Sequence, residues 1–194
     1  LVDPGPGALA RLVRSPHGPA TLDDVDAVLL THLHLDHCAD LAPLLFALHS
    51  VVLVSRRPLQ IIGPRGLAAY LDRLRDLYGD WLTPRSRSLE VLEVAGGDTL
   101  GPDAGGRWTA GGTGGAGSLE AFAVEHGEVR FSRENLGWRA RDCDGRTLDV
   151  TDLSPPALGV NPVIPDRKTL WLDLTPDEST DGAADTVAPT ATDG

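Results

Sequence analysis

The sequence predicts an α/β fold, and three observations carry that prediction. Ala27-Val28-Leu29-Leu30 is a short apolar run fit for a buried strand, and Leu41, Leu44, Leu45 and Leu48 recur at helical spacing just after it. A second β-like run at residues 59–62 precedes Leu67, Tyr70, Leu71, Leu74 and Tyr78, whose i, i+3, i+4, i+7, i+11 spacing marks a core-facing helix that Gly79 is placed to end. Between the first strand and its helix lies Thr31-His32-Leu33-His34-Leu35-Asp36-His37-Cys38-Ala39-Asp40-Leu41, with three of the six histidines and two carboxylates. Ligands of open α/β sheets bind at the carboxyl ends of strands, where this run sits.

Size and composition narrow the function classes. At 194 residues and 20.5 kDa the chain is one domain's worth. A hydrophobic content of 41% and a mean hydropathy of −0.09 fit a soluble globular protein, with no apolar run of membrane-spanning length and no visible signal peptide. A net charge of −11 and pI near 4.8 argue against a large nucleic-acid footprint, which needs clustered Lys and Arg. A small anionic or ester-type substrate would have to be held by metal, not by the overall field. Cys38 and Cys143 form no C-x-x-C pair, so a disulfide framework is not expected and a reducing cytoplasm is the default location. No methionine occurs, and Leu1-Val2-Asp3 reads as the tail of a strand already under way.

The elements follow in order. Two prolines and two glycines between Asp3 and Gly7 make a tight turn, and Leu9, Leu12 and Val13 then mark one face of a short helix. Asp3 itself reads as a turn-former or as a carboxylate that orients the histidine loop. His17, between Pro16 and Gly18, reads as solvated, and residues 21–24 as a helix start or a turn into the first strand. Pro43 falls in the first turn of the helix after the histidines, where its missing N–H costs little, and His49 near that helix's end suits the last carbonyls and the dipole. Residues 51–54 are β-like, and Arg56 and Arg57 beside them read as a solvated loop before an anion contact. Residues 89–94 interleave apolar and acidic side chains as a half-exposed strand does. Residues 96–117, rich in glycine and poor in large side chains, are expected to be a mobile connection. Residues 119–125 resume the strand pattern and His126 ends it. Trp138 and Arg139 lie on alternate faces of a further strand, and 169–174 read as another. The acidic stretch 175–194, without aromatics, is expected to be a disordered tail.

The histidine run is the chemically informative part. Imidazole is the commonest metal ligand, carboxylate a frequent companion, and the H-x-H-x-D-H order can serve two ions from one loop. Cys38 offers a further donor, although free Cys mostly packs as a small buried hydrophobe.

This run resembles the metallo-β-lactamase-fold hydrolases, in the branch that looks like tRNase Z and related phosphodiesterases. Four further patches carry the likeness in the family's order: Leu1-Val2-Asp3-Pro4-Gly5-Pro6-Gly7; Ile61-Ile62-Gly63-Pro64-Arg65-Gly66-Leu67; Val124-Glu125-His126 with Leu136-Gly137-Trp138-Arg139; and Asp144-Gly145-Arg146-Thr147-Leu148 leading to Thr151-Asp152. The likeness spans residues 1–152. It implies an αββα metallo-β-lactamase-like sandwich over residues 1–174, incomplete at both ends.

The resemblance also implies a ligand set. His32, His34 and His126 would hold one ion, Asp36 and His37 a second, and Asp152 would bridge them, with Asp149 a competing carboxylate. Zinc suits the mixture, while ligand type leaves manganese and iron open. The implied chemistry is hydrolysis by a metal-bound hydroxide, with Asp36 as the catalytic group that orients the water or accepts its proton. Relatives carry a last metal-binding histidine, whereas this chain has none after His126. The second ion is therefore expected to be loosely held, and truncation near residue 153 is the expectation. A same-fold hydrolase of lactones, thioesters or β-lactams is the alternative, and a catalytically impaired metal-binding fragment another. The absence of a basic, glycine-rich arm speaks against tRNA processing. Relatives of this kind often pair, so a homodimer is also an expectation.

Overall fold

A computed structural model describes residues 1–15, 22–50, 57–112, 117–125, 134–142 and 145–150. The first sheet is parallel, in the order β1 (Ala27–Leu29), β2 (Leu59–Pro64), β3 (Leu89–Val94), and Val2 adds a parallel bridge to Leu29. Its middle strand is buried along its whole length. Leu59 and Ile61 face the helices while Ile62 faces the second sheet. A strand covered on both faces reads as a nearly unbroken apolar run, which is why residues 59–62 show no alternation. On β3 the acids have partners instead: Glu93 accepts the backbone N–H groups of Gly66 and Ala68 at the start of α4 (Leu67–Tyr78), each at 2.9 Å.

Helices α1 (Ala8–Leu12), α2 (Leu35–Cys38), α3 (Leu41–His49) and α4 accompany that sheet. Leu41, Leu44, Leu45 and Leu48 all join the core between helices and sheet, with Leu67 and Leu71 from α4. Burying six leucine side chains there contributes on the order of 10 kcal/mol before conformational entropy is subtracted.

The second sheet is antiparallel, in the order β5 (Trp108–Ala110), β4 (Thr99–Pro102), β6 (Ser118–Val124), β7 (Asn135–Arg141), β8 (Thr147–Val150). Leu119, Ala121, Leu136, Trp138 and Ala140 point inward and meet Val2, Leu29, Ile62 and Val94 in a second core between the sheets. Polar contacts stitch the layers. Trp138 Nε1 donates to the Leu30 carbonyl at 3.2 Å, and the Leu136 N–H donates to the Thr31 carbonyl at 2.8 Å. Gln60, buried in mid-strand, exchanges two bonds with the Trp108 backbone at 2.7 and 3.0 Å. Helices, parallel sheet and antiparallel sheet thus stack as three layers. They match the expected sandwich, whose outer helix layer beyond the second sheet does not occur among the described residues.

Three local expectations are corrected. The connection expected within residues 96–117 contains β4 and β5, and two of its glycines sit where two backbones approach closely: a Cβ on Gly101 or on Gly112 would run into the other's carbonyl. His49 bonds the Thr83 carbonyl through Nδ1 at 2.8 Å and does not serve its own helix end. Val13 is exposed, and Ala8 takes the buried place beside Leu12. The expected strand at 51–54, Arg56 and the 175–194 tail lie outside the described residues.

Candidate metal centre

The loop after β1 changes backbone state at one residue. His34 is extended, at φ −71° and ψ 149°, and α2 begins at Leu35. His32 and His34 come before that turn with their rings in contact, while Asp36 and His37 sit on the helical turn that follows. The His32 ring centroid lies 4.8 Å from that of His34 and 4.0 Å from that of His37. Asp36 Oδ2 is 3.5 Å from His37 Nε2. Four of the six predicted metal-binding residues are therefore brought together, and His32 and His37 are each only 1% exposed.

One buried carboxylate sets the nitrogens of two of these rings. Asp3, 2% exposed, accepts the Thr31 N–H at Oδ1 (2.8 Å), and at Oδ2 it accepts both the Thr31 hydroxyl (2.7 Å) and His37 Nδ1 (2.9 Å). The hydroxyl has a single proton, and it goes to Asp3. Thr31 Oγ1 is then the acceptor for His32 Nδ1, 2.9 Å away. With Asp3 ionised, both histidines donate from Nδ1, and in the neutral imidazoles Nε2 is the lone-pair nitrogen. Among the described residues, His32 Nε2 is buried and meets no hydrogen-bond partner. Burial pushes the Asp3 carboxyl above the usual carboxylate range, and its bonds from His37 and Thr31 oppose that rise. With three donors aimed at it, the ionised form is the one that completes the network.

The Asp3 backbone is in the left-handed region, at φ 45°, a conformation that aspartate tolerates better than most residues. The turn it begins lies against the histidine loop, so closely that a Cβ on Gly5 would strike the Asp36 carbonyl. Of the two readings of Asp3 given by its sequence position, the geometry supports the one that orients the loop. Thr31 is a functional residue that local sequence reasoning misses, although a hydroxyl next to a predicted ligand is the signal for it.

Cys38 is not placed as a donor. Its thiol contacts the His34 carbonyl at 3.1 Å and the Tyr70 hydroxyl at 3.3 Å, and burial pushes its pKa up to about 11, which keeps it protonated. Asp149, the competitor of Asp152, is held on β8 by Arg139 at 2.7 and 2.8 Å, and that guanidinium lowers its pKa. Its carboxylate is engaged on the second sheet. His126 and Asp152 lie outside the described residues, and among the described residues no three His, Cys, Asp or Glu groups could hold an ion by themselves.

Residues 1–155 match the family described as the Beta-lactamase superfamily domain. The chain belongs to that superfamily. The structure is similar to that of the metallo-beta-lactamase fold protein YhfI from Bacillus subtilis, with a TM-score of 0.50 and 21% identity, over 77% of this chain and 48% of that one. The fold is thus the metallo-β-lactamase fold. Among curated relatives, ribonuclease BN of Citrobacter koseri is 27% identical over 169 residues, 87% of this chain and 47% of its own length. Ribonuclease Z of a Mycobacterium species (strain KMS) is 40% identical over 79 residues, 41% of this chain and 27% of its own. Both names fall in the tRNase Z-like branch of the superfamily, and the chain spans less than half the length of either relative. No helix among the described residues is long and apolar enough to cross a membrane.

Proposed function

We propose that this superfamily member is a metal-dependent hydrolase of phosphodiesters whose ions are held at the loop of residues 31–40. His32 and His34, with His126, would hold one ion. Asp36 and His37, with Asp152, would bear on a second. His126 and Asp152 enter on the family resemblance. The observation that carries the reading is the pair of buried imidazoles, His32 and His37, whose protons are fixed on Nδ1 by the Asp3–Thr31 network. Metal-binding histidines commonly have one ring nitrogen fixed by such a partner, which leaves the other as the ligand. The donor set of imidazole and carboxylate fits zinc, and manganese or iron by the same ligand types. Such an ion, when bound, acidifies water and polarises the phosphoryl oxygen.

The chain's own residues have roles that follow from their placement. Asp3 keeps the His37 ring from turning and stabilises positive charge that gathers on it. Thr31 does the same for His32 at one remove. Asp36, partly exposed beside His37 Nε2, is the carboxylate in place to orient a water or take its proton. Relatives named as ribonucleases support a phosphodiester over a lactone or thioester. The net charge of −11 favours a short phosphodiester over a long nucleic acid.

The test is turnover of bis(p-nitrophenyl) phosphate, a short RNA, a lactone and a thioester by the chain loaded with zinc or manganese. The expected result is phosphodiester cleavage, reduced about a hundredfold in Asp36→Asn. Cleavage of the lactone or thioester alone would replace this reading with the same-fold alternative, and no turnover with bound metal would make the chain an impaired metal-binding fragment.

A further inference from the structure

Asp40 stands at the far end of the histidine loop, four residues past Asp36, and its carboxylate does something unusual for its position. It precedes the first turn of α3, where an aspartate ordinarily accepts an N–H from its own helix. Here no such side-chain cap is formed. Oδ1 instead accepts the Gly7 N–H at 3.2 Å and Oδ2 the Leu9 N–H at 2.9 Å, across more than thirty residues of sequence. The Asp40 N–H in turn donates to the Pro4 carbonyl at 2.8 Å.

These bonds have a counterpart at the other end of the same two segments. Asp3, from the strap formed by residues 3–9, grips the loop at Thr31 and at His37. Asp40, from the loop, grips the strap at Gly7 and Leu9. Gly5, midway along the strap, lies against the Asp36 carbonyl with no room for a Cβ. Each segment thus lends one carboxylate to the other, and Asp36 lies between the two grips, beside His37, which the first of them holds.

We infer that Asp40 is a positioning residue for Asp36 and His37: by closing the strap over residues 36–40 it holds Asp3 in register with His37 Nδ1 and fixes where His37 Nε2 and the Asp36 carboxylate stand. This rests on the reading of the loop as a metal centre only for its effect on metal affinity, because the effect on the His37 ring is a property of the metal-free chain. Removing Asp40 leaves all four described candidate ligands in the sequence, yet loosens the frame that holds two of them.

The experiment compares the wild-type chain with Asp40→Ala and Asp40→Asn. Two quantities are read: hydrogen exchange of the His37 Nδ1–H in the metal-free protein by nitrogen-15 NMR, and affinity for zinc alone by competition with a chromophoric chelator. In Asp40→Ala, His37 Nδ1–H exchange should quicken at least about tenfold, and zinc affinity should fall by about the ten- to hundredfold typical of lost supporting contacts. Asp40→Asn, which keeps an oxygen acceptor, should recover much of both. Should Asp40→Ala melt at lower temperature yet keep wild-type exchange at His37, Asp40 is only a tie between segments and the inference is overturned. If exchange quickens as expected while the wild-type chain binds no zinc, the positioning role stands and the metal reading falls. If Asp40→Ala does not fold, Asp40→Asn decides alone: a change at His37 with an unchanged melting temperature supports the role, and no change overturns it.

Discussion

Asp3 and Asp149 make hydrogen bonds of nearly the same length and are affected in opposite directions. Asp3 receives three donors at 2.7 to 2.9 Å in a place that is 2% exposed. Asp149 receives the Arg139 guanidinium at 2.7 and 2.8 Å on the open face of the second sheet, with 46% of its side chain exposed. Burial pushes the carboxyl of Asp3 up, while Arg139 pulls that of Asp149 down. Distance is therefore a poor guide to what either contact contributes. The buried network cannot exchange its partners for water, so each lost bond leaves an unsatisfied group; the exposed pair can, and water replaces it.

The largest effect should come from Asp3→Ala. Its loss strands the Thr31 N–H, the Thr31 hydroxyl and His37 Nδ1 in a dry site, which should lower unfolding free energy by about 3 kcal/mol. Urea denaturation at pH 7 reads this directly, and a change indistinguishable from that of a surface substitution would erase the contrast. Gly5→Ala should follow, at about 2 kcal/mol, because the added methyl meets a backbone carbonyl that has no rotamer to escape into. The same denaturation series measures it. Asp149→Asn should have the smallest effect, within scatter at high salt. Its pH dependence has a definite sign. Because pairing with Arg139 lowers the native value of Asp149, the contribution is present above the ordinary carboxylate range and disappears as pH falls through the lowered value. A stability difference between wild type and Asp149→Asn that grew on acidification would contradict the assignment.

The same contrast explains what could be read from sequence. The histidine loop was legible because its chemistry is local: four candidate ligands fall within six residues, just past a strand whose burial makes it apolar. The helix α4 was legible because its period is long enough to count. β4 and β5 were not, since at four and three residues they are too short to show an alternation, and β4 contains Gly101 and Pro102, which mark strands poorly. The grip of Asp3 was only half legible and that of Asp40 not at all. Each acts on residues about thirty positions away, and nothing in a local pattern tells a turn aspartate from one whose carboxylate holds a second segment. Asp149 and Asp152 could not be separated by spacing, and what distinguishes Asp149 is its bidentate hold by Arg139, a cross-strand neighbour supplied by the register of β7 with β8.

The central claim is that the imidazoles of the loop are held for a shared cation. Metal content of the chelator-stripped chain after reloading with zinc and gel filtration, for wild type against the double substitution His32→Ala, His34→Ala, tests it most directly. At least one ion per wild-type chain, lost in the double variant while its circular dichroism is unchanged, is the predicted result. Equal metal content in the two proteins, or none in either, would contradict it.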